Sequence, residues 1–529
     1  MYLYRDLVIE WKLRNIQAWR LLTRSFMTPE SNKSLLAYTP MLHARMFSET
    51  SKFRDSHFEP LRSSLSSPST TTTTSHKPSD LFLDGNPALD RPLTVQFCAN
   101  DPDEFLSAAR YVAPFCDAVD LNLGCPQGIA RKGKYGAFLQ EDQDLVYELI
   151  NKLHRELDVP VTAKIRILDT REETLAYAKK VLDAGASILT VHGRRREQKG
   201  HNTGLADWEM LKFLRRELGD EVVLFANGNV LQREDIDRCL EVTGVDGVMS
   251  AEGNLYDPAI FSEPPAVGKE GREYWRGRDG KGGWRMDAVF RRYIDIIYKH
   301  VLEVPVPDRK PLYLPSDPEE VIEEAKGDER EQGPPKKKQK KDKKERTTSP
   351  NLLAMQAHSF HLLRALVSRH HHVRDALARC RAGDIEAFEA VLQMVEAVVW
   401  EGLREYEATD GGSWDAEVAK DERLSLKTNE KQEKEEEKGV KEGEGAEDRD
   451  ERYESSLETV RRCKRPWWVV QPYVRPLPKE ALAKGSMTLS KKEKARLEMV
   501  AMVPSGHTQV EQSGMGKEVE LPKEGLVCG

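Results

Sequence analysis

The sequence predicts an α/β fold: a closed (β/α)8 barrel of parallel strands, its first strand missing or divergent, followed by a C-terminal helical domain and disordered charged segments. Three observations predict it. Apolar strands and amphipathic helices alternate at a regular pitch from Pro92 to Gly253. The strands are apolar at successive positions, as in a parallel sheet that helices cover on both faces. The units are also too many for a comfortable open sheet, which favours closure.

In chain order, the spacing of Ala18, Leu21, Leu22 and Phe26 predicts a helix over Ile16–Phe26, and LLAYTPML (Leu35–Leu42) reads as a strand. Residues 63–79 are rich in Ser, Thr and Pro and too poor in apolar groups to pack, so a solvated insertion is expected. Strand Pro92–Ala99 leads to helix Asp103–Phe115 and then to strand Ala118–Leu123. Helix Asp144–Leu157 leads to strand Pro160–Ile167, and helix Arg171–Gly185, capped by its glycine, to strand Ser187–Arg194. Helix Asp207–Leu218 leads to strand Val222–Val230, and helix Gln232–Gly244 to strand Val245–Gly253. That makes seven strands where eight are needed. The tips Asn227-Gly228-Asn229 and Ala251-Glu252-Gly253 are spaced as successive loops, and barrels that hold a phosphate do so at loops seven and eight. Leu35–Leu42 then becomes the second strand, and LYRDLVIEW is the stretch from which a substitute first strand would come.

Composition narrows the class. The 529 residues have room for two or three domains. Charged residues make up 32% of the chain, but the formal net charge is −7, so no overall basic field marks a nucleic-acid binder. Seven irregularly spaced cysteines with no CxxC pair argue against a disulfide framework or zinc ribbon and for a reducing compartment. No apolar run approaches the ~20 residues that span a bilayer, and MYLYRDLVIEWKLRN lacks the apolar centre of a secretory signal. An intracellular chain with no membrane partner is expected.

Chemistry concentrates in AVDLNLGCPQ (Ala118–Gln127). The strand stops at Gly124, and Pro126 forbids its continuation because it has no N–H to donate. Cys125 is left at the carboxyl end, where α/β barrels put their reactive groups. On spacing alone, a small apolar cysteine filling a core gap reads equally well. Gln96, Asn122, Lys164, His192 and Asn227 also lie on strands or at their tips. A lysine among Val, Ala and Ile is costly to bury without an anionic partner. Five polar residues on successive strands, facing one mouth, suit a planar ligand with carbonyls and ring nitrogens at its edge, as an isoalloxazine has.

Together and in order, VQFCAND, DLNLGCPQ, AKIRI, TVHGR, ANGNV and GVMSAEGNL resemble the tRNA-dihydrouridine synthases. YTPMLHARMF and LNLGCPQGIARKGKYGAFL are most similar to the eukaryotic branch that acts on uridines 16 and 17 of the tRNA D-loop. The resemblance covers about Gln17–Phe261, and more weakly the helical region after Asn351. It implies an FMN-dependent reductase of the uracil C5–C6 bond in tRNA, with NADPH or NADH as electron donor and no metal. Flavin would pass a hydride to C6, and Cys125 would give a proton to C5. A free thiol, with a pKa near ~8.5, is mostly protonated at neutral pH and can serve as a general acid. The uracil must leave its stack to reach the flavin.

Matched residue by residue, the resemblance assigns Gln96 and Lys164 to the flavin ring and His192 to the ring or ribityl chain. It assigns Asn227, Gly228, Asn229, Ala251 and Glu252 to the phosphate end, Asn122 to the substrate base, and Arg131, Lys132, Lys134 and Tyr135 to a mobile lid. Two features depart from the family pattern. As in the eukaryotic branch, Glu252 stands where many relatives carry an arginine, which leaves more of the phosphate to backbone N–H groups. The helix entered as Ala18-Trp19-Arg20 is not preceded by the family's Ala-Pro-Met-Val strand. Two alternatives therefore stand beside the enzyme: a catalytically silent tRNA-binding homologue that lost its flavin with that strand, or another FMN barrel reductase of a pyrimidine.

The expected division is an atypical N-terminus with the first barrel helix (1–34), the barrel (35–265) and a helical continuation (274–315). A charged linker (316–350) follows, then a helical tRNA-docking domain (351–407), an acidic disordered segment (408–460), and an aromatic-basic island with a polar tail (461–529). The run Lys336–Lys344 reads as a nuclear-import signal, an RNA tether or a plain solvated linker. A location in the cytoplasm, the nucleus or both is expected. His358, His361 and His370 to His372 lack a carboxylate or thiol to complete a metal set, so a polar helix face is expected. Trp467, Trp468, Tyr473 and Arg475 suit either base stacking or packing back on the barrel.

Overall fold

Eight parallel strands close into a ring: β1 (Asp6–Ile9), β2 (Leu35–Tyr38), β3 (Leu93–Cys98), β4 (Ala118–Leu123), β5 (Val161–Arg166), β6 (Ile188–His192), β7 (Val223–Asn227) and β8 (Gly247–Ser250). Each pairs with the next, and β1 pairs on one side with β2 (Val8 opposite Leu36) and on the other with β8 (Val8 opposite Met249). The structure, a computed structural model, describes residues 6–9, 16–61, 82–317, 349–420, 456–478 and 481. The first strand is therefore not missing. It comes from Asp-Leu-Val-Ile, because closure asks for backbone donors and acceptors in extended geometry, which many sequences supply. The strand expected over Leu35–Leu42 breaks after Tyr38, and Leu42–His43 pairs separately with β3. The expected insertion at 63–79 lies outside the described residues.

Two-residue alternation sorts the strands into two surfaces. Leu93, Val95, Phe97, Val119, Leu121, Ala163, Ile165, Leu189 and Val191 point outward and form one apolar cluster with the surrounding helices. The inward positions carry a small apolar plug of Tyr38, Phe225 and Met249. Most of the remainder are polar: Thr94, Gln96, Asp120, Asn122, Thr162, Lys164, Arg166, Thr190, His192 and Asn227. Helices α1 (Gln17–Arg24), α2 (Pro102–Val112), α3 (Gln143–Glu156), α4 (Arg171–Asp183), α5 (Trp208–Leu218) and α6 (Arg233–Thr243) follow the first strand and strands three to seven. Their starts are set by side-chain caps, as at α2, where Asp101 accepts from the N–H groups of Asp103 and Glu104 at 2.9 Å each, and at α4, where Thr170 and Glu173 form a capping box.

The Ala18-Trp19-Arg20 helix joins three parts of the molecule. The Ala18 N–H donates to Asn351 Oδ1 of the helical region at 2.9 Å, and Trp19 Nε1 to Asn254 Oδ1 beyond β8 at 2.9 Å. Arg20 is fully buried and donates to Asp84 (2.7 Å) and to both oxygens of Asp90 (2.8 and 2.6 Å), tying down the segment before β3. A motif that reads as a helix start is a three-way fastening.

The helical continuation expected from residue 274 begins later. β9 (Tyr274–Arg276) and β10 (Gly282–Trp284) form an antiparallel hairpin, and α7 starts at Met286 and runs to Ile296. The glycines at 277, 280, 282 and 283 favour a turn over a helix. The helical region holds α8 (Pro350–Leu362), α9 (Arg364–Arg369), α10 (His371–Arg379) and α11 (Ile385–Ala408), packed in a second cluster with α1 and α7. His358 is not on a polar face: it is fully buried, 2.9 Å from the Tyr293 hydroxyl and against Trp19.

The segment expected to be disordered over 408–460 is partly ordered. Residues 412–420 are helical, with Glu417 paired to Arg369 at 2.6 Å, and α12 spans Ser456–Cys463. Residues 421–455 lie outside the described residues, as does the lysine run. Trp467, Trp468, Val469 and Val470 are buried in the same cluster as Trp275, Leu403 and Tyr406, so this island packs back on the molecule. No described helix is long and apolar enough to cross a membrane, and no group of three or more metal-ligating side chains occurs among the described residues.

Candidate active site

The polar inward positions lie in register. Gln96 stands opposite Asp120 and Asp120 opposite Thr162; Asn122 opposite Lys164 and Lys164 opposite Thr190; Arg166 opposite His192 and His192 opposite Asn227. Side chains opposite one another on parallel neighbours share a face, so Gln96, Asn122, Lys164, His192 and Asn227 all project into the same barrel interior toward its C-terminal mouth. All but His192, which is half-buried, are buried.

Hydrogen bonds order this interior from below. Thr162 Oγ1 donates to Asp120 Oδ1 at 2.6 Å, and Gln96 Nε2 to Asp120 Oδ2 at 2.9 Å. Because the carboxylate takes the amide nitrogen, Gln96 Oε1 is left as acceptor for Asn122 Nδ2 at 2.9 Å. Asn122 Oδ1 in turn accepts the backbone N–H groups of Gly124 (3.2 Å) and Cys125 (3.0 Å). A buried acid thus sets two amide orientations in series and, through them, the turn that carries Cys125. Asp120 is absent from the residues singled out in the sequence. Its signal is the alternation itself, a carboxylate at an inward position of an otherwise apolar strand.

Cys125 is half-buried at the strand tip and forms a small cluster with Cys98, Ala130, Tyr135, Met41 and Phe138. Burial, with Cys125 as neighbour, pushes the Cys98 thiol up to about 12. Burial also pushes the Tyr135 hydroxyl up to about 12, with Cys98 and Cys125 adding to it. The following loop is tied to Cys125: Ala137 N donates to its carbonyl at 3.0 Å, and Gly136, at φ +66°, lies so close that a Cβ there would sit 2.8 Å from the same oxygen. Of the four residues assigned to a lid, Arg131, Lys132 and Lys134 are exposed, whereas Tyr135 is buried beneath them.

At loops six to eight, Asn227 Nδ2 donates to the Met249 carbonyl at 2.9 Å. Gly228, at φ +112°, has no room for a side chain between Ala206, His192 and Arg194, and its carbonyl accepts Trp208 Nε1 at 3.1 Å. Asn229, also at positive φ, locks to both backbone groups of Ala206 at 3.0 Å. Arg194 bridges this loop to the interior, its Nη2 donating to Asn229 Oδ1 at 2.8 Å and its Nη1 lying 3.0 Å from His192 Nε2. Ala251 precedes a five-residue helical turn, Glu252–Tyr256, and Glu252 is engaged by Arg475 through Nη2 at 2.7 Å. Burial and Arg166 hold the Arg194 guanidinium down to about 10, with Glu252 opposing and Arg475 adding to the effect. Arg194, Arg166 and Arg475 were not singled out for this end of the barrel. The first two follow the strand residues Lys164 and His192 by two positions, but Arg475 comes from 223 residues beyond Glu252 and leaves no local signal.

These residues fit a flavin mononucleotide. The interior offers an amide, an ammonium and an imidazole for a ring edge, and the loop end offers arginines and a glycine-tight backbone for a phosphate. A closed parallel barrel with its polar groups and a half-buried free thiol at the C-terminal mouth is the architecture of a barrel enzyme. The dihydrouridine synthase (Dus) family matches residues 17–274. The chain is 38% identical over 460 residues to a Schizosaccharomyces pombe tRNA-dihydrouridine(16/17) synthase, covering 87% of this chain and 85% of that one. It is 51% identical over 280 residues to the Saccharomyces cerevisiae protein of the same name, covering 53% of this chain and 57% of the relative, and 45% identical over 258 residues to a rat protein named as similar to that synthase, covering 49% and 52%. The last two matches thus span little more than half of those relatives. The chain belongs to the dihydrouridine synthase family.

Proposed function

We propose that this chain reduces the C5–C6 bond of uridine 16, uridine 17 or both in the D-loop of tRNA, with FMN as cofactor and NADPH or NADH as reductant. Family membership and the names of the relatives support the reaction class and the tRNA substrate. The observation that carries the mechanism is the hydrogen-bonded series from Asp120 through Gln96 and Asn122 to the Cys125 N–H. It fixes a thiol at the edge of the polar interior.

When bound, FMN supplies the hydride that uracil C6 receives. The chain's residues do the rest. Gln96 and Lys164 hold the ring from the interior, His192 holds the ring or ribityl chain, and Asn227, Gly228, Asn229, Ala251 and Glu252 bound the phosphate end. Asn122 orients the Cys125 turn and edges the base. Cys125 delivers the proton to C5, so hydride and proton together add two hydrogens across the double bond. Arg131, Lys132 and Lys134 are exposed beside this thiol and suit the phosphates of an extruded nucleotide, while Tyr135 supports the loop from below. In the helical region Arg364 is stacked on Tyr473 and Arg369 is paired with Glu417, while Arg374 and Arg379 are exposed and suit the RNA backbone. The silent-homologue alternative rested on a missing first strand, and β1 occupies that place in the ring. The tRNA substrate suits the cytoplasm, the nucleus or both, which imaging of a tagged chain would test.

Cys125→Ala is expected to keep bound flavin, with absorbance near ~450 nm, while the two-dalton increment in D-loop uridines, read by mass spectrometry, disappears. Unchanged tRNA reduction in that variant would sink the proton-donor role. A colourless wild-type protein that still retards tRNA would favour the silent homologue.

A further inference from the structure

The segment that re-enters at Ser456 straps across the loop side of the barrel. Arg462 Nη1 donates to Asp235 Oδ1 at 3.1 Å, at the start of α6. Arg465 Nε donates to the Gly282 carbonyl at 3.2 Å, and the Met286 N–H donates to the Trp468 carbonyl at 2.8 Å. The Val470 N–H donates to the Trp284 carbonyl at 2.9 Å. Past these fastenings, Tyr473 is clasped by Arg364, whose guanidinium lies 3.8 Å from the ring centroid, and rests near Tyr256 at 5.8 Å. The strap then delivers Arg475 to Glu252, with Nε at 3.0 and 3.1 Å from the two oxygens and Nη2 at 2.7 Å from Oε1.

This contact falls at the end of the barrel where Arg194 holds Asn229 and where Arg166 lies nearby. Arg194 feels Arg166 and Arg475 as like charges and Glu252 as the opposing carboxylate, so positive charge outnumbers negative at this end. Such an imbalance favours an anion. The Arg475–Glu252 pair is a forked contact, two guanidinium nitrogens on one carboxylate, between side chains about two-fifths exposed (41% and 38%). Water reaches and screens the pair, and a phosphate can take the same two N–H groups in the same forked geometry with more charge, so the carboxylate can be exchanged for it.

We propose that Arg475 is a phosphate ligand of bound FMN, contributed from the far end of the chain, and that Glu252 is its resting partner, displaced when the phosphate arrives. The proposal rests on the FMN reading above. It explains how a barrel with an acid at this loop position holds a phosphate: the missing arginine is supplied by the strap.

The test uses the full chain stripped of flavin and titrated separately with FMN and with riboflavin, which lacks the phosphate, following flavin fluorescence. Arg475→Ala is expected to weaken FMN about tenfold and leave riboflavin unchanged. Glu252→Gln removes the competing charge and is expected to tighten FMN several-fold, again without effect on riboflavin. If the pair merely pinned the strap, both variants would weaken FMN, and riboflavin with it; that outcome overturns the proposal and leaves the FMN reading standing. A wild-type chain that binds neither flavin overturns both. Should Arg475→Ala fail to fold, the sign of the Glu252→Gln effect decides alone.

Discussion

Gly136→Ala puts the coupling between the post-cysteine loop and the thiol to a quantitative test. Gly136 sits at φ +66°, a left-handed conformation that costs a residue with a Cβ roughly 1–2 kcal/mol. The new methyl would lie 2.8 Å from the Cys125 carbonyl oxygen and 2.9 Å from its Cβ, where ordinary contact begins near 3.4 Å. One side must yield by roughly half an ångström, and neither is the free end of a flexible side chain. The loop cannot simply retreat, because Ala137 N is bonded to the same carbonyl at 3.0 Å. Displacing a reacting group by about 1 Å can cost on the order of 100-fold, so about tenfold is expected here, or ~1.4 kcal/mol. The expected result is a loss of about 2 kcal/mol in urea unfolding and a roughly tenfold slower single-turnover reduction of tRNA by pre-reduced enzyme, with flavin affinity unchanged. A variant that is destabilised as calculated yet reduces tRNA at the wild-type rate would refute the claim that this loop sets the position of Cys125.

Other perturbations probe the frame. Arg20→Met should cost about 3–5 kcal/mol in chemical unfolding, because it leaves Asp84 and Asp90 buried without their cation; a change under 1 kcal/mol would contradict that arrangement. Val8→Pro removes a donor from a strand paired on both sides and should open the ring, seen as lost soluble protein or a lowered melting temperature; unaltered melting would mean that β1 does not close the barrel. At the interface of α7 and α11, burial outweighs the attraction of Arg291 and pushes the Glu396 carboxyl up to about 7 from an ordinary 4.5. A folded value above the unfolded one means a contribution fully present below about 4.5 and lost as pH rises through about 7. Stability should therefore fall by about 1–3 kcal/mol between pH 5 and 8, and Glu396→Gln should flatten that slope; an equal slope in the variant would reject the assignment.

Strand–helix alternation and the apolar outer faces of the strands were legible in the sequence, because period-two and helical patterns are local and each strand buries one face on its own neighbouring helices. The same locality exposed the row of polar residues from Gln96 to Asn227 and the stop at Gly124-Cys125-Pro126. The first strand was not legible as such: Asp6–Ile9 is short, lacks the family's Ala-Pro-Met, and becomes a strand through partners more than 25 residues away in β2 and more than 230 away in β8. The start of the helical continuation expected at residue 274 was not legible for a related reason, since the apolar spacing of α7 runs backward into glycines that make a hairpin. His358 looked like part of a polar face until α7 and Trp19 enclosed it.

By itself the sequence determined which residues could do chemistry here, since side-chain type and spacing are properties of the chain. Only the tertiary structure decided how they are coupled. Asp120 orders Gln96 and Asn122 under Cys125 because parallel register stacks them, and Arg475 meets Glu252 because a strap 223 residues downstream folds back over the loops. Contacts between residues so far apart are set by packing and closure, which no local pattern encodes.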